Sequence, residues 1–152
     1  DIIDIKLGYQ FLSAFDPDMK EAFRSGEVYA RDPESLVSFQ LSETDYIGLF
    51  NRSKHMIDFR IDYNINDLYS INLTSKYRSK YAIKDNNDNQ VLDAYDDFIN
   101  GYMITDIGLN YQFNKRIQMH SGVKNLFDYM NIENISNIPG RLYYITMSLE
   151  IL

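Results

Sequence analysis

Residues 102–125 read YMITDIGLNYQFNKRIQMHSGVKN, and they alternate. Met103, Thr105, Ile107, Leu109, Tyr111 and Phe113 fall on one side, with Asp106, Gly108, Asn110 and Gln112 on the other. After Asn114 and Lys115 the rhythm resumes, with Ile117, Met119, Ser121 and Val123 against Gln118, His120, Gly122 and Lys124. Successive side chains of a strand point to opposite faces, so this period of two predicts two strands joined by a tight turn, each with one apolar and one polar face.

The same pattern recurs outward in both directions. In DIIDIKLGYQF (1–11), Ile3, Ile5, Leu7, Tyr9 and Phe11 oppose Asp4, Lys6, Gly8 and Gln10. HMIDFRIDYN (55–64), LYSINLTSKYRSK (68–80) and residues 141–151 alternate in the same way, giving six predicted strands. Each run is about ten to twelve residues, roughly twice the modal strand of a globular protein and close to what a tilted strand needs to cross hydrocarbon. The connections alternate too: long (12–54), short (64–67), long (81–101), short (114–115), then medium (126–140). Brief turns on one side and extended loops on the other are the asymmetry of outer-membrane barrels. The expected fold is all-β: an antiparallel transmembrane barrel segment of six strands.

Composition agrees. The 152 residues include 13 Tyr and 9 Phe but no Trp or Cys, and 45% are apolar at a mean hydropathy of -0.37, so polar and apolar groups are finely interleaved. No window approaches the roughly 18–20 apolar residues of a spanning helix, and residues 1–20 show no signal-peptide pattern. A net charge of -7 argues against a nucleic-acid partner. The absence of cysteine removes disulfides and thiolate metal sites. Tyr9, Phe11, Tyr63, Tyr69, Tyr77, Tyr102, Tyr111, Phe113 and Tyr143 sit mostly toward strand ends, where amphipathic rings suit the headgroup level. No nucleophile, base and orienter fall together, so neither an enzyme nor a cofactor is expected.

Six strands cannot close a membrane barrel, for which about eight is the smallest number, and an open edge in lipid leaves backbone groups unsatisfied. The remaining strands are therefore expected on another polypeptide, on a missing N-terminal part, or on further copies. A start at Asp1 without an initiator Met favours a piece of something longer.

The run GVKNLFDYMN (122–131), then PGR (139–141) and a last alternating strand, resembles the C-terminal end of TonB-dependent outer-membrane receptors. In that family an N-L-F-D/N corner ends the penultimate strand, a short external loop carries a P-G-R step, and the final strand of a barrel of about 22 strands follows. Asn125 and Asp128 are expected to bond backbone at the corner, with Leu126 and Phe127 packing it. Pro139 and Gly140 are expected to form the re-entry turn, Gly140 through a positive dihedral, with Arg141 at the rim. The motif is read as serving the barrel seam rather than substrate. The chain departs from the family in ending Glu150, Ile151, Leu152, where an aromatic residue usually assists barrel assembly.

The resemblance implies uptake of a scarce nutrient across the outer membrane of a Gram-negative bacterium. Its implied partners are the rest of the barrel and a plug, a TonB-type energiser, membrane lipid and a surface lipoprotein lid. Neither plug nor TonB-contacting box lies in this chain. Loop 12–54 is the expected ligand-facing element, through Tyr29, Arg31, Phe39, Tyr46 and Phe50, whose rings and guanidinium suit a conjugated or anionic ligand. DNNDNQVLDAYD (85–96) spaces Asp85, Asn87, Asn89 and Asp93 like a calcium loop, with Asp96 in the twelfth place. It lacks the sixth-position Gly and terminal Glu, so a solvated acidic loop is the better reading. His55 and His120 are read as rim or lumenal polar groups. The alternatives are a passive or structural barrel of several chains and a soluble β-sandwich binding module.

Overall fold

A computed structural model describes residues 2–32, 34–86 and 88–151. They form two compact units, a sheet unit of residues within 2–10, 56–78 and 102–151 and a loop unit of residues within 11–55 and 79–101. The main strands are β1 (Ile2–Phe11), β4 (His55–Asn64), β5 (Tyr69–Arg78), β8 (Tyr102–Asn114), β9 (Ile117–Lys124) and β10 (Leu142–Leu149). They make one open sheet in the order β1-β4-β5-β8-β9-β10, so consecutive strands of the barrel segment are neighbours and β1 and β10 lie at its edges. The fold is the expected all-β barrel segment. The strands fall within a few residues of their alternating runs, and Asp1 and Leu152 lie outside the described residues.

Asparagine sets both tight turns. Asn66 Oδ1 accepts from the backbone of Leu68 and Tyr69, each at 2.9 Å, and Asn114 Oδ1 accepts from Arg116 and Ile117 at 2.9 and 3.1 Å. A side-chain amide that binds backbone two and three residues on imitates a peptide turn, which is why these two short connections reverse so sharply.

Register aligns like with like across the sheet. Ile61, Leu73, Ile107, Val123 and Tyr143 lie side by side, as do Tyr63, Ile71, Leu109, Ser121 and Ile145. This face is uncovered at the edges: Ile5 is 60% exposed, Leu7 71%, Tyr143 75% and Ile145 72%. Among the described residues of the sheet unit no second layer packs on them. Ser75 and Thr105, on the same face, bond each other at 2.9 Å and so satisfy one hydroxyl with the other. Tyr69, Tyr111 and Phe113 form a ring cluster beside the short turns, with centroids 4.6 and 4.3 Å apart. Tyr102 departs from the girdle expectation, because it is buried and stacks on Tyr129 at 4.8 Å.

The opposite face carries polar rows. Asp62, Asn72, Gly108, Gly122 and Tyr144 form one, and Asn64, Ser70, Asn110, His120 and Thr146 the next. Arg60 grips Asp62 through two bonds of 2.6 and 2.9 Å. Tyr144 lies across the paired glycines and bonds His120 Nε2 at 2.7 Å, while His120 Nδ1 meets Asn110 Oδ1 and Asn110 donates to Ser70 at 3.1 Å. A Cβ on Gly122 would collide with the Ile107 carbonyl and come within 2.7 Å of the Tyr144 hydroxyl.

The NLFD corner differs in detail from its expected form. Asn125 is 3% exposed and adopts φ 51, Asp128 φ 56. Asn125 Oδ1 accepts from Tyr129 N at 3.0 Å, and its Nδ2 donates to the carbonyls of Tyr129 and Pro139 at 2.8 and 2.9 Å. Asp128 Oδ1 accepts from Arg141 N at 2.6 Å. These two side chains therefore clasp both ends of the 126–140 connection, with Leu126 half-buried between them. Two expectations are corrected. Phe127 is 62% exposed and does not pack the corner. Gly140 is not at positive φ; it is small because a Cβ there would come within 3.0 Å of Asp128 Oδ1 and Met130 Sδ. The left-handed turns fall on Asn125 and Asp128, residue types that tolerate them.

Two outcomes follow for unfolding followed by the strand circular-dichroism signal in detergent. Gly122→Val should lower stability by about 1–3 kcal/mol through overpacking, and Tyr144→Ala should not restore it, because the Ile107 carbonyl still obstructs. Asn125→Ala should cost about 2–4 kcal/mol, from stranded backbone groups and a Cβ at positive φ. Asn125→Asp, which keeps the acceptor but turns a carboxylate oxygen toward the Tyr129 and Pro139 carbonyls in a buried site, should cost at least as much as Asn125→Ala at neutral pH.

Candidate functional site

Expected as loop, residues 12–54 contain regular structure. Helix α1 (Pro17–Ser25) starts at Asp16, whose Oδ1 accepts from Asp18 N and Met19 N at 2.9 and 3.3 Å, and Pro17 supplies a preset first φ. It stops at Gly26, at φ 75. Met19, Ala22 and Phe23, at helical spacing, turn toward a small core of Val28, Ala30, Leu41, Tyr46 and Val91. Strands β2 (Tyr29–Arg31) and β3 (Ser38–Gln40) pair beside it, as do β6 (Tyr81–Lys84) and β7 (Asp97–Ile99) in the second segment.

The two segments are tied into one body. Val91 enters the core of the first, and Asn89 Nδ2 donates to Tyr29 O at 3.2 Å. Asn51 N donates to Ala82 O at 2.8 Å, and Leu12 N to Lys54 O at 2.9 Å. Buried Ser53 donates to Ser79 O at 2.9 Å. Gly48, at φ 123, lets the chain pass Ala14, whose carbonyl would lie 3.0 Å from an added Cβ.

Within this body lies a cleft of about 340 Å³. Its buried lining is Tyr81, Ala82 and Leu92, its walls include Leu12, Phe15, Ile47, Leu49 and Phe98, and three cations, Arg52, Lys54 and Lys80, line it as well. Among the described residues no carboxylate does. Lys80 Nζ stands 4.3 Å over the Phe98 ring. Such a cavity can hold an apolar body and neutralise a negative group on it.

The expected ligand residues do not converge. Tyr29 and Arg31 share one face of the β2–β3 hairpin, while Phe39 pairs with Ala30 on the other and meets Tyr95 at 5.8 Å. Arg31 Nε bonds the Leu36 carbonyl at 3.2 Å. Tyr46 belongs to the core: it stacks on Phe23 at 5.0 Å, and its hydroxyl accepts from Asp16 N at 2.8 Å. Phe50 is half-buried. Tyr29 is 54% exposed and open to a partner. The cleft instead gathers Arg52 from the first segment with Lys80 and Phe98 from the second, a combination no linear spacing announces.

Acidic side chains here serve turns. Asp93, buried, accepts from Asn89 Nδ2 and Tyr95 N at 2.9 and 2.8 Å, and Asp96 accepts from Asp93 N and Asn86 N at 2.8 and 3.2 Å. Asp85 accepts from Gln90 N at 2.7 Å, and Asn89 Oδ1 from Val91 N at 2.9 Å. Asn87 lies outside the described residues. Among the described residues no three His, Cys, Asp or Glu groups gather as for a metal ion. Burial raises the pKa of the Asp96 carboxyl above its ordinary value, against the two backbone bonds it accepts. Glu43 is held below its ordinary range by its bonds to Arg24, at 3.2 and 3.3 Å.

No protein-family model matches the sequence, and no curated protein matches it. Solved structures do. A mutant of the ferric enterobactin receptor PfeA from Pseudomonas aeruginosa, in complex with enterobactin, matches 97% of this chain at 17% identity and a TM-score of 0.60, over 20% of its own length. PfeA in complex with BCV-L6 matches 64% of the chain at 22% identity and a TM-score of 0.50, over 16% of its length. The siderophore receptor PirA from Acinetobacter baumannii matches 98% at 16% identity and a TM-score of 0.51, over 30% of its length. The chain thus spans less than a third of the receptors it matches. At these identities the likeness is one of fold, and by fold this chain is a β-barrel segment like those of the receptors PfeA and PirA.

Proposed function

We propose that this chain is the C-terminal barrel segment of a TonB-dependent receptor that binds a scarce nutrient outside a Gram-negative cell and imports it. The observation that carries the reading is the open sheet with its uncovered apolar face, together with a likeness in fold to a receptor over 97% of the chain. The family's architecture assigns the remaining strands and a plug to the rest of the receptor, and the driving force to a TonB-type protein acting on that plug. Outer-membrane lipid covers the apolar face, and a surface lipoprotein lid would meet the external loops.

In this reading residues 12–54, 81–101 and 126–140 are the external loops, and the body formed by the first two is the ligand-facing part. Tyr29, Arg31, Phe39 and Phe50 are its candidate contacts with the transported ligand, and the cationic cleft is a separate, smaller cavity in the same body. Siderophores are the favoured ligand class, because both matched receptors are named for them. The chain carries out no chemistry in this role; it supplies wall and binding surface.

The test is accumulation of radioactive iron, presented as ferric siderophores, by iron-limited cells with and without the gene for this chain. Uptake should require the gene and collapse when a protonophore removes the driving force. Uptake that needs the gene but survives the protonophore would mark a passive barrel instead, and uptake indifferent to the gene would reject transport of this ligand class.

A further inference from the structure

We propose that the cleft beside Arg52, Lys54 and Lys80 binds a small aryl oxyanion, a carboxylate or sulfonate carried on one or two flat rings. The inference rests on the body being ligand-facing, and it adds the chemistry that the cleft selects.

Charge is the first ground. The chain carries a net charge of -7, yet among the described residues this cleft is lined by Arg52, Lys54 and Lys80 and by no carboxylate. Lys6, Lys20, Arg24 and Arg60 are paired with acids, and among the described residues no ion pair involves Arg52, Lys54 or Lys80. They share that state with Arg31, Lys76 and Lys124, but Arg52, Lys54 and Lys80 are gathered at one apolar cavity. Cations gathered beside an apolar cavity and left without counter-charge favour an anion that brings its own apolar body.

Shape is the second. A volume of about 340 Å³ suits one or two rings and is too small for a bulky chelate. Its lining joins three aromatic side chains, Phe15, Tyr81 and Phe98, to the aliphatic Leu12, Ile47, Leu49 and Leu92, and Lys80 stands over the Phe98 ring. Aromatic walls hold a flat ring by offset or edge-on contact, and a guanidinium can meet both oxygens of a carboxylate. Rigidity is the third ground. The Leu12–Lys54 and Ser53–Ser79 bonds fix the backbone that carries the cations, so the ordering left for the moment of binding is that of the side chains.

The experiment uses the protein purified from its membrane in neutral detergent with the chains that accompany it. Naphthalene-2-sulfonate is titrated calorimetrically, with naphthalene-2-methanol and octanoate as comparators. The sulfonate should bind at one site, at least about tenfold more tightly than either comparator. The R52Q/K54Q/K80Q variant should lose at least that factor, and Ala94→Trp, which fills the cleft and leaves every charge in place, should abolish binding. Equal affinity for the neutral alcohol would overturn the proposal without any variant, and tighter binding of octanoate would overturn the aryl class. Unchanged binding in Ala94→Trp would reduce the effect to surface charge and also overturn it. Strand circular dichroism confirms that each variant is folded; should the triple variant fail to fold, Lys80→Gln alone must still weaken the sulfonate and spare the alcohol. Because binding is read on purified protein, its failure would leave energised uptake untouched, and a failure of uptake would leave the cleft's chemistry standing.

Discussion

An apolar face with nothing laid on it governs the structure. Ile3, Ile5, Leu7, Tyr9 and Phe11 on β1, with Tyr143, Ile145, Met147, Leu149 and Ile151 at the other edge, are all at least 59% exposed. Burying one such side chain is worth about 1.5–3 kcal/mol. Ten left in water would forgo on the order of 15–30 kcal/mol, more than the roughly 5–15 kcal/mol by which a folded domain is usually stable. The face therefore requires an apolar medium. Strands of about ten residues, close to the hydrocarbon thickness when tilted, make lipid the medium that fits.

The rest of the sheet follows from that requirement. Hydroxyls on the lipid side bond one another, as Ser75 and Thr105 do, while ions are kept on the far side and paired there, as Arg60 is with Asp62. The glycines at 108 and 122 belong to the polar face, where they make room for Tyr144 to lie across three strands and join the His120–Asn110–Ser70 chain of bonds. Backbone polar groups at the outer edges of β1 and β10 still need partners, since hydrocarbon offers none. An open sheet of this kind is complete only as part of a larger ring.

Sheet and turns were legible in the sequence because their determinants are local. Alternation fixes which side chain faces which way, and Asn66 and Asn114 reverse the chain through bonds to residues two and three ahead. The body made by residues 11–55 and 79–101 was not, although Asp16-Pro17 and Gly26 bracket α1 as ordinary helix signals. Its core joins Phe23 to Val91, and its cleft joins Arg52 to Lys80 and Phe98, contacts between residues far apart in the chain that no period records. For that reason Tyr46 reads from sequence as a surface aromatic yet serves the core, and Lys80 and Phe98 gave no sign of sharing a cavity with Arg52. The NLFD corner lies between these cases: the side chains of Asn125 and Asp128 bond backbone as their residue types suggest, but the exposure of Phe127 and the steric role of Gly140 depend on the course of the 126–140 connection.

The absence of native cysteine makes the central claim directly measurable. Single cysteines placed in turn at residues 142–149 of the membrane-embedded protein can be spin-labelled and read for collision with oxygen, which dissolves in lipid, and with a water-soluble nickel chelate. Positions 143, 145, 147 and 149 should be open to oxygen and closed to nickel, while 144, 146 and 148 should lack the oxygen contact. Loss of that alternation, or odd positions shielded from both reagents, would mean that the apolar face meets protein rather than lipid, and would contradict the account.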